Sequence, residues 1–291
     1  MTATDATLPE VTAPAALAKR PREVIYRHSF VTRVTHWINV LAISLLIMSG
    51  AQIFNAHPSL YWGQYGADAD KPLLAMQAFH TTNGGLVGKT TIGSWTFDTT
   101  GVLGASGAPG HQEARGFPGW LTVPSWRDLA LGRHWHFFFA WVLVINGLIY
   151  MLFGLFSGHF RRDIAPDRDQ LGPRHILRNI WDHVRLKHPT GEEAKRYNVL
   201  QKLAYIAVIF LLVPAMVLTG LTMSPGVDSI APFLLTLFGG RQSARTIHFI
   251  CANLIVLFVL VHLVEVLLAG VVNEVRSMIT GRYVVPAERH K

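Results

Sequence analysis

Four apolar runs divide the chain, at about 31–54, 135–156, 203–222 and 246–272. Each is close to the roughly 20 residues that a helix needs to cross the hydrocarbon core of a bilayer. In lipid a helix satisfies all its backbone polar groups within one segment. The pattern therefore predicts an all-α integral membrane protein, a bundle of four spanning helices. Pro214 falls inside the third run and should kink it. The apolar stretch 231–238 is too short to cross.

The polar segments are unequal. Residues 1–22 are rich in Ala, Thr and Pro and read as a disordered tail. No apolar segment precedes residue 30, so the first run reads as an uncleaved signal anchor. Residues 55–132 hold many Gly, Pro and Trp but no run able to span. A connection of that length is usually functional, and it is expected to form a small ordered cap or docking surface. Its histidines His57, His80 and His111 share no repeating spacing and read as ordinary loop residues. In 157–198, Ile176, Leu177, Ile180, Trp181 and Val184 recur at helical spacing among basic residues. This predicts an amphipathic helix lying on the membrane surface.

Composition sharpens the picture. Only 15% of residues are charged, against about 25% in soluble proteins. The net charge of +8 sits in loops between apolar runs, so topology explains it better than nucleic acid does. The segment 157–198 carries nine Lys or Arg, whereas the much longer first loop carries five (Lys71, Lys89, Arg115, Arg127, Arg133). Basic residues flank both ends of the chain as well. The positive-inside rule then predicts cytoplasmic termini, a cytoplasmic second loop, and a first loop outside a bacterial inner membrane. The single cysteine, Cys251, excludes an intrachain disulfide and cysteine-bound clusters, and no C-x-x-C-H is present.

Any metal centre must therefore rest on histidine or carboxylate. His248 and His262 lie 14 residues apart in the fourth run. On a helix this is about 21 Å and within about 40° of whole turns, so both rings leave by nearly one face. His36 opens the first run, and His134 and His136 open the second. Depth pairs His36 with His262 on the inner side, and His136 or His134 with His248 on the outer side. Arg33, Arg133 and Arg245 each stand three residues before a histidine, one turn nearer the membrane surface. That position suits haem propionates, and it favours His136 over His134. Two imidazoles without acid or thiolate make a poor zinc site. A transporter would call for intramembrane carboxylates or inverted repeats, and the runs offer only Glu265 and no repeat.

At these residues the chain resembles the bacterial b-type cytochrome family, the cytochrome b561-like membrane subunits of hydrogenases, formate dehydrogenases and thiosulfate reductases. The resemblance rests on R-H-S-F-V-T-R-V-T-H-W at 27–37, H-F-F-F-A-W at 136–141, Y-N-V-L-Q-K at 197–202 and the H-x13-H of the fourth run. It implies a membrane domain over 23–275 with two haem b, followed by a cytoplasmic tail, 276–291. It also implies electron transfer between a periplasmic oxidoreductase subunit and quinone. By position, haem iron would take His36 with His262 and His136 with His248. The Y-N-x-x-Q-K match assigns Asn198, Gln201 and Lys202 to a quinone pocket, with Glu265 beside them; read without the resemblance, Asn198 caps a helix and Lys202 snorkels. Glu265, His28 and Lys202 are the candidate proton carriers. The long outer loop resembles members that serve periplasmic molybdopterin enzymes. The competing expectations are a stand-alone membrane metal reductase and a haem-free anchor or transporter.

Overall fold

Every spanning helix starts where a polar side chain takes up backbone N–H groups that the helix leaves unpaired. In the computed structural model, which describes residues 23–67, 70–108, 111–185 and 196–286, Ser29 caps the first span through Thr32 N–H at 3.1 Å. Asp128 caps the second through Leu131 N–H at 2.9 Å. Asn198 caps the third through Leu200 and Gln201 N–H at 2.7 and 3.2 Å. The 1–22 tail, the stretch 186–195 of the basic loop and residues 287–291 lie outside the described residues.

In chain order the elements are β1 (Val24–Tyr26), α1 (Phe30–Phe54), β2 (Ser59–Leu60), β3 (Leu74–His80), β4 (Leu86–Ile92), β5 (Trp95–Asp98), β6 (Gly104–Ser106), β7 (Glu113–Arg115), α2 (Leu129–Phe156), α3 (Pro173–Val184), α4 (Val199–Ala207), α5 (Val213–Thr222), α6 (Pro225–Asp228), α7 (Phe233–Phe238), α8 (Arg241–Thr280) and β8 (Arg282–Val284). Among the described residues, four helices are long and apolar enough to cross a membrane: α1, α2, the α4–α5 unit Val199–Thr222, and α8. The protein is multi-pass.

The third span is not a regular α-helix throughout. A π-helical turn, Val208–Leu212, joins α4 to α5 just before Pro214. Proline has no N–H, and its ring clashes with the carbonyl four residues back. Widening the turn, so that Val213 N–H bonds Val208 O, absorbs both defects. α8 is longer than a bilayer requires, with 40 residues. It breaks at Gly270, whose φ of 106° is open to glycine and strained for other residues.

α1 packs along α2, and α5 along α8, while the two pairs touch each other more sparsely. Asn146 joins α1 to α2, donating to Thr35 O at 2.8 Å and Asn39 Oδ1 at 2.7 Å. Such bonds stabilise helix association where the hydrophobic effect between helices is weak. Leucines and phenylalanines on the outer faces stay exposed to lipid. At one end of the bundle β1 and β8 pair antiparallel, Val24 opposite Val284 and Tyr26 opposite Arg282. This terminal end holds both flanks of the chain. α3 forms where the amphipathic pattern placed it, with Leu177, Ile180 and Trp181 exposed.

The expectation of an all-α protein needs correction at 55–132. That segment is an ordered cap, but it is built of strands. β2, β3, β4 and β5 form one antiparallel sheet in that order, and β6 pairs with β7. Asn83-Gly84 lies in the β3–β4 turn and Gly93-Ser94 between β4 and β5, both strong hairpin dipeptides. The cap sits on the bundle through Phe54, Leu60 and Met76, joined by Phe117 and Phe249. Buried Arg115 donates to Gln52 Oε1 at 3.2 Å, Thr122 Oγ1 at 3.1 Å and Ser125 O at 2.8 Å. Asn55 bonds the Phe117 backbone on both sides, at 3.0 and 2.6 Å.

Candidate functional site

Two pairs of imidazoles face each other across the gap between the helix pairs. At the cap end His136 of α2 faces His248 of α8, with ring centres 6.3 Å apart. Toward the terminal end His36 of α1 faces His262 of α8, also at 6.3 Å. A metal-bound imidazole nitrogen sits about 2.0–2.1 Å from the ion, and roughly 1.1 Å from its own ring centre, so one ion between two rings needs centres about 6.3 Å apart. Both pairs have that spacing. His134 is exposed, so of the two candidates it is His136 that turns inward.

The cap-end pair has its hydrogen-bond directions fixed. Ser49 of α1 gives its proton to Leu45 O at 2.6 Å, so its oxygen accepts from His136 Nδ1–H at 3.1 Å. Thr219 of α5 gives its proton to Ala215 O at 2.6 Å and accepts from His248 Nδ1–H at 3.0 Å. Each ring is thereby held as the tautomer that leaves the Nε2 lone pair free for a metal. The next residue in each case is glycine. A Cβ on Gly50 would meet His136 Cε1 at 3.3 Å, and one on Gly220 would meet His248 Cε1 at 3.6 Å. The sequence reading missed Ser49 and Thr219. A hydroxyl residue followed by glycine inside an apolar run, twice, was the available signal.

The terminal-end pair is built differently. His36 Nδ1 is buried with no partner among the described groups. Trp37 meets the His36 ring edge-on at 5.3 Å and donates Nε1–H to Met278 O at 3.0 Å. Phe258 stacks on His262 at 6.0 Å.

Among the described residues no three His, Cys, Asp or Glu converge on one point. Each pair therefore offers two imidazoles with no third His, Cys, Asp or Glu among the described residues. That donor set suits a macrocycle that brings its own equatorial nitrogens, and it does not suit a bare ion. Gly147, eleven residues after His136, has open space where a Cβ would project. Gly154 is covered by the Phe160 ring instead.

Residues 27–281 match the family of prokaryotic cytochrome b561. The chain belongs to that family. This b561 chain is also similar to a relative from Azospira oryzae named as a protein-methionine-sulfoxide reductase subunit, YedZ1. The two are 29% identical over 247 residues, covering 85% of this chain and 93% of the relative. No solved structure matches. Membership of the b561 family brings haem b as the cofactor, and the paired imidazoles described above fit it.

Around the pairs, the b561 chain uses its arginines as clamps. Arg245 donates to Ser59 O at 2.9 Å and also to His57 O, binding the cap to the start of α8. Arg33 donates to Ile279 O, near the end of α8. Arg133 is exposed and lies over the Phe137 ring. Asn198 and Gln201 form a reciprocal capping box at the start of α4. Lys202 is buried, and its ammonium donates to Ala165 O at 3.1 Å, Gln170 Oε1 at 3.1 Å and Asp167 Oδ2 at 3.4 Å. Glu265 is half-buried on α8, one turn past His262. His28 is buried beside the Tyr197 hydroxyl at 3.3 Å. Burial, followed by the Arg27 charge, pushes its pKa down to about 4, because both disfavour the imidazolium.

Proposed function

We propose that this chain is a di-haem cytochrome b subunit of a bacterial inner membrane, passing electrons between quinone and a periplasmic oxidoreductase. The observation that carries the reading is the pair of facing imidazole sets, both at 6.3 Å and both sharing α8. In this reading the cap end is periplasmic and the terminal end cytoplasmic, as the distribution of basic residues favours.

Bound at these sites, haem supplies a one-electron couple whose two axial positions are both filled by protein. His136 and His248 would hold one group, and His36 and His262 the other. Ser49 and Thr219 keep the first pair in its metal-binding tautomer. Arg33, Arg133 and Arg245 stand at the surface ends of the sites, where propionates would emerge. The cap covers the first pair and offers the partner a folded surface. The name of the Azospira oryzae relative, a protein-methionine-sulfoxide reductase subunit, favours an oxidoreductase as that partner. The long cap favours a molybdopterin-dependent one.

Quinone is placed at the terminal end, beside His36 and His262. Lys202 ties the start of α4 to the 165–170 segment, Asn198 and Gln201 cap that helix, and Glu265 lies on the same side. α3 lies along the lipid headgroups.

The deciding experiment is a haem count on purified protein, by pyridine haemochrome against protein mass. Two b haems per chain are expected. One haem or none would sink the di-haem reading.

A further inference from the structure

A second buried histidine cluster lies at the terminal end, away from the facing pairs. α2 ends at Phe156, and Gly158, with φ of 70°, turns the chain back. His159 is thereby folded under its own helix and is 8% exposed. Its Nε2 lies 3.1 Å from the Tyr150 hydroxyl, and its Nδ1 lies 2.7 Å from Asp163 Oδ2. A π-helical turn, Phe160–Ile164, brings the carboxylate there, closed by Ala165 N–H on Phe160 O at 2.7 Å. Such turns recur at functional sites.

The directions of these bonds follow from chemistry. An ionised carboxylate only accepts, so Nδ1 carries the hydrogen and Nε2 accepts from the Tyr150 O–H. The line then runs one way, from a phenol inside the span to a half-buried carboxylate at the surface. Exposed Arg162 meets that carboxylate at 3.1 Å. Toward the interior, Tyr150 packs on Phe160 at 5.5 Å, and Phe160 packs on Phe210 of the third span at 5.2 Å. Tyr205 packs on Phe258 at 6.2 Å, and Phe258 stacks on His262. Tyr197 stands edge-on to Tyr205 at 5.5 Å, and His28 lies within electrostatic reach of His159. Phe153 and Phe160 wall the imidazole.

We propose that Tyr150, His159 and Asp163 form a proton path between the quinone site and cytoplasmic water, an inference that rests on the quinone reading above. Oxidation of one quinol to quinone releases two electrons, which a one-electron haem couple held at the imidazole pairs would accept, and two protons. Each proton arrives at the Tyr150 oxygen as the Tyr150 proton passes to His159 Nε2. The Nδ1 proton leaves through Asp163 to water. The ring is left with its hydrogen on Nε2 and returns to the starting tautomer by exchange with water, Nδ1 gaining one proton as Nε2 releases one. Quinone reduction runs the same path backwards. A general base that carries protons in this way contributes roughly 10²–10⁴ in rate.

The test uses full-length haem-loaded protein in lipid nanodiscs, with a short-chain quinol as reductant and haem absorbance as readout. His159→Gln and Asp163→Asn should slow quinol-driven reduction by roughly tenfold or more. Asp163→Glu should restore much of it, and the solvent deuterium effect should differ from wild type. Haem content and full reduction by dithionite should stay unchanged. In histidine-labelled protein without quinol, the nitrogen NMR signals of His159 should move in Asp163→Asn. Wild-type rates in both variants would overturn the path alone. A wild-type protein that dithionite reduces and quinol does not would overturn the quinone reading, and the path with it.

Discussion

Ser49 of α1 holds the His136 ring of α2 by accepting its Nδ1–H at 3.1 Å, while its own proton is committed to Leu45 O. Thr219 does the same for His248. The cap-end pair is thus oriented by two helices that carry neither of its rings. Ser49→Ala and Thr219→Val should weaken haem retention at this pair by about 10–100-fold. The other pair should be unaffected. Haem content and a redox titration of each variant would show it; equal loss at both pairs would count against the assignment.

Gly50 and Gly220 set how close a backbone comes to those rings. Valine at either position adds branches beyond a Cβ already 3.3 or 3.6 Å from an imidazole carbon. We expect Gly50→Val and Gly220→Val to lose one haem per chain, with the four helices intact by circular dichroism. Full haem occupancy in both would mean that the rings have room to move.

His248→Ala should leave one haem, and His262→Ala should leave the other. The two residual haems should differ in redox midpoint, because only the cap-end pair has hydroxyl acceptors on its Nδ1 atoms. Identical midpoints in the two variants would go against this.

Arg115 ties the cap to α1 through Gln52 and is buried with four hydrogen-bonding partners. Arg115→Ala should cost about 2–4 kcal/mol and lower the melting temperature. It should also release the periplasmic partner in a pull-down while the haem spectrum stays. Retention of the partner would place docking elsewhere.

His28 gives a pH dependence of known sign. Its native pKa is depressed to about 4 from 6.5, so the unfolded chain binds the extra proton between those values. Stability from a neutral buried His28 is full above pH 6.5 and is lost as pH falls through about 4. The difference is up to about 3 kcal/mol. His28→Gln should flatten thermal stability over that window, measured by melting at a series of pH values.

The spans were legible because lipid demands long apolar runs: α1 and the α4–α5 unit begin and end within four residues of them, while α2 begins at 129 against 135 and α8 runs from 241 to 280 against 246–272. The histidine pairs were legible because 14 residues is nearly a whole number of turns. The cap was not: its strands are short, and attention to span length passed over Asn83-Gly84 and Gly93-Ser94, which mark its hairpins. Ser49 and Thr219 were missed because single hydroxyls in apolar runs often bond their own helix, as these also do. The i−3 rule expects Arg33 and Arg245 to face propionates. It could not tell that backbone carbonyls of Ile279, His57 and Ser59 compete for the same guanidiniums. His159 was passed over because only the positive φ at Gly158 folds it inward, and sequence does not display that angle.

α8 behaves as a crankshaft. His248 and His262 are two throws on one axle, and the axle is pinned near its cap end by Arg245 and Thr246 and at the other end by β8 against β1. One residue inserted between the throws would put them out of phase by about 100°. No rotation of the whole helix could then seat both rings. The spacing of the two imidazole pairs is therefore a single mechanical setting, and any drift in the length of that segment takes one of the pairs apart.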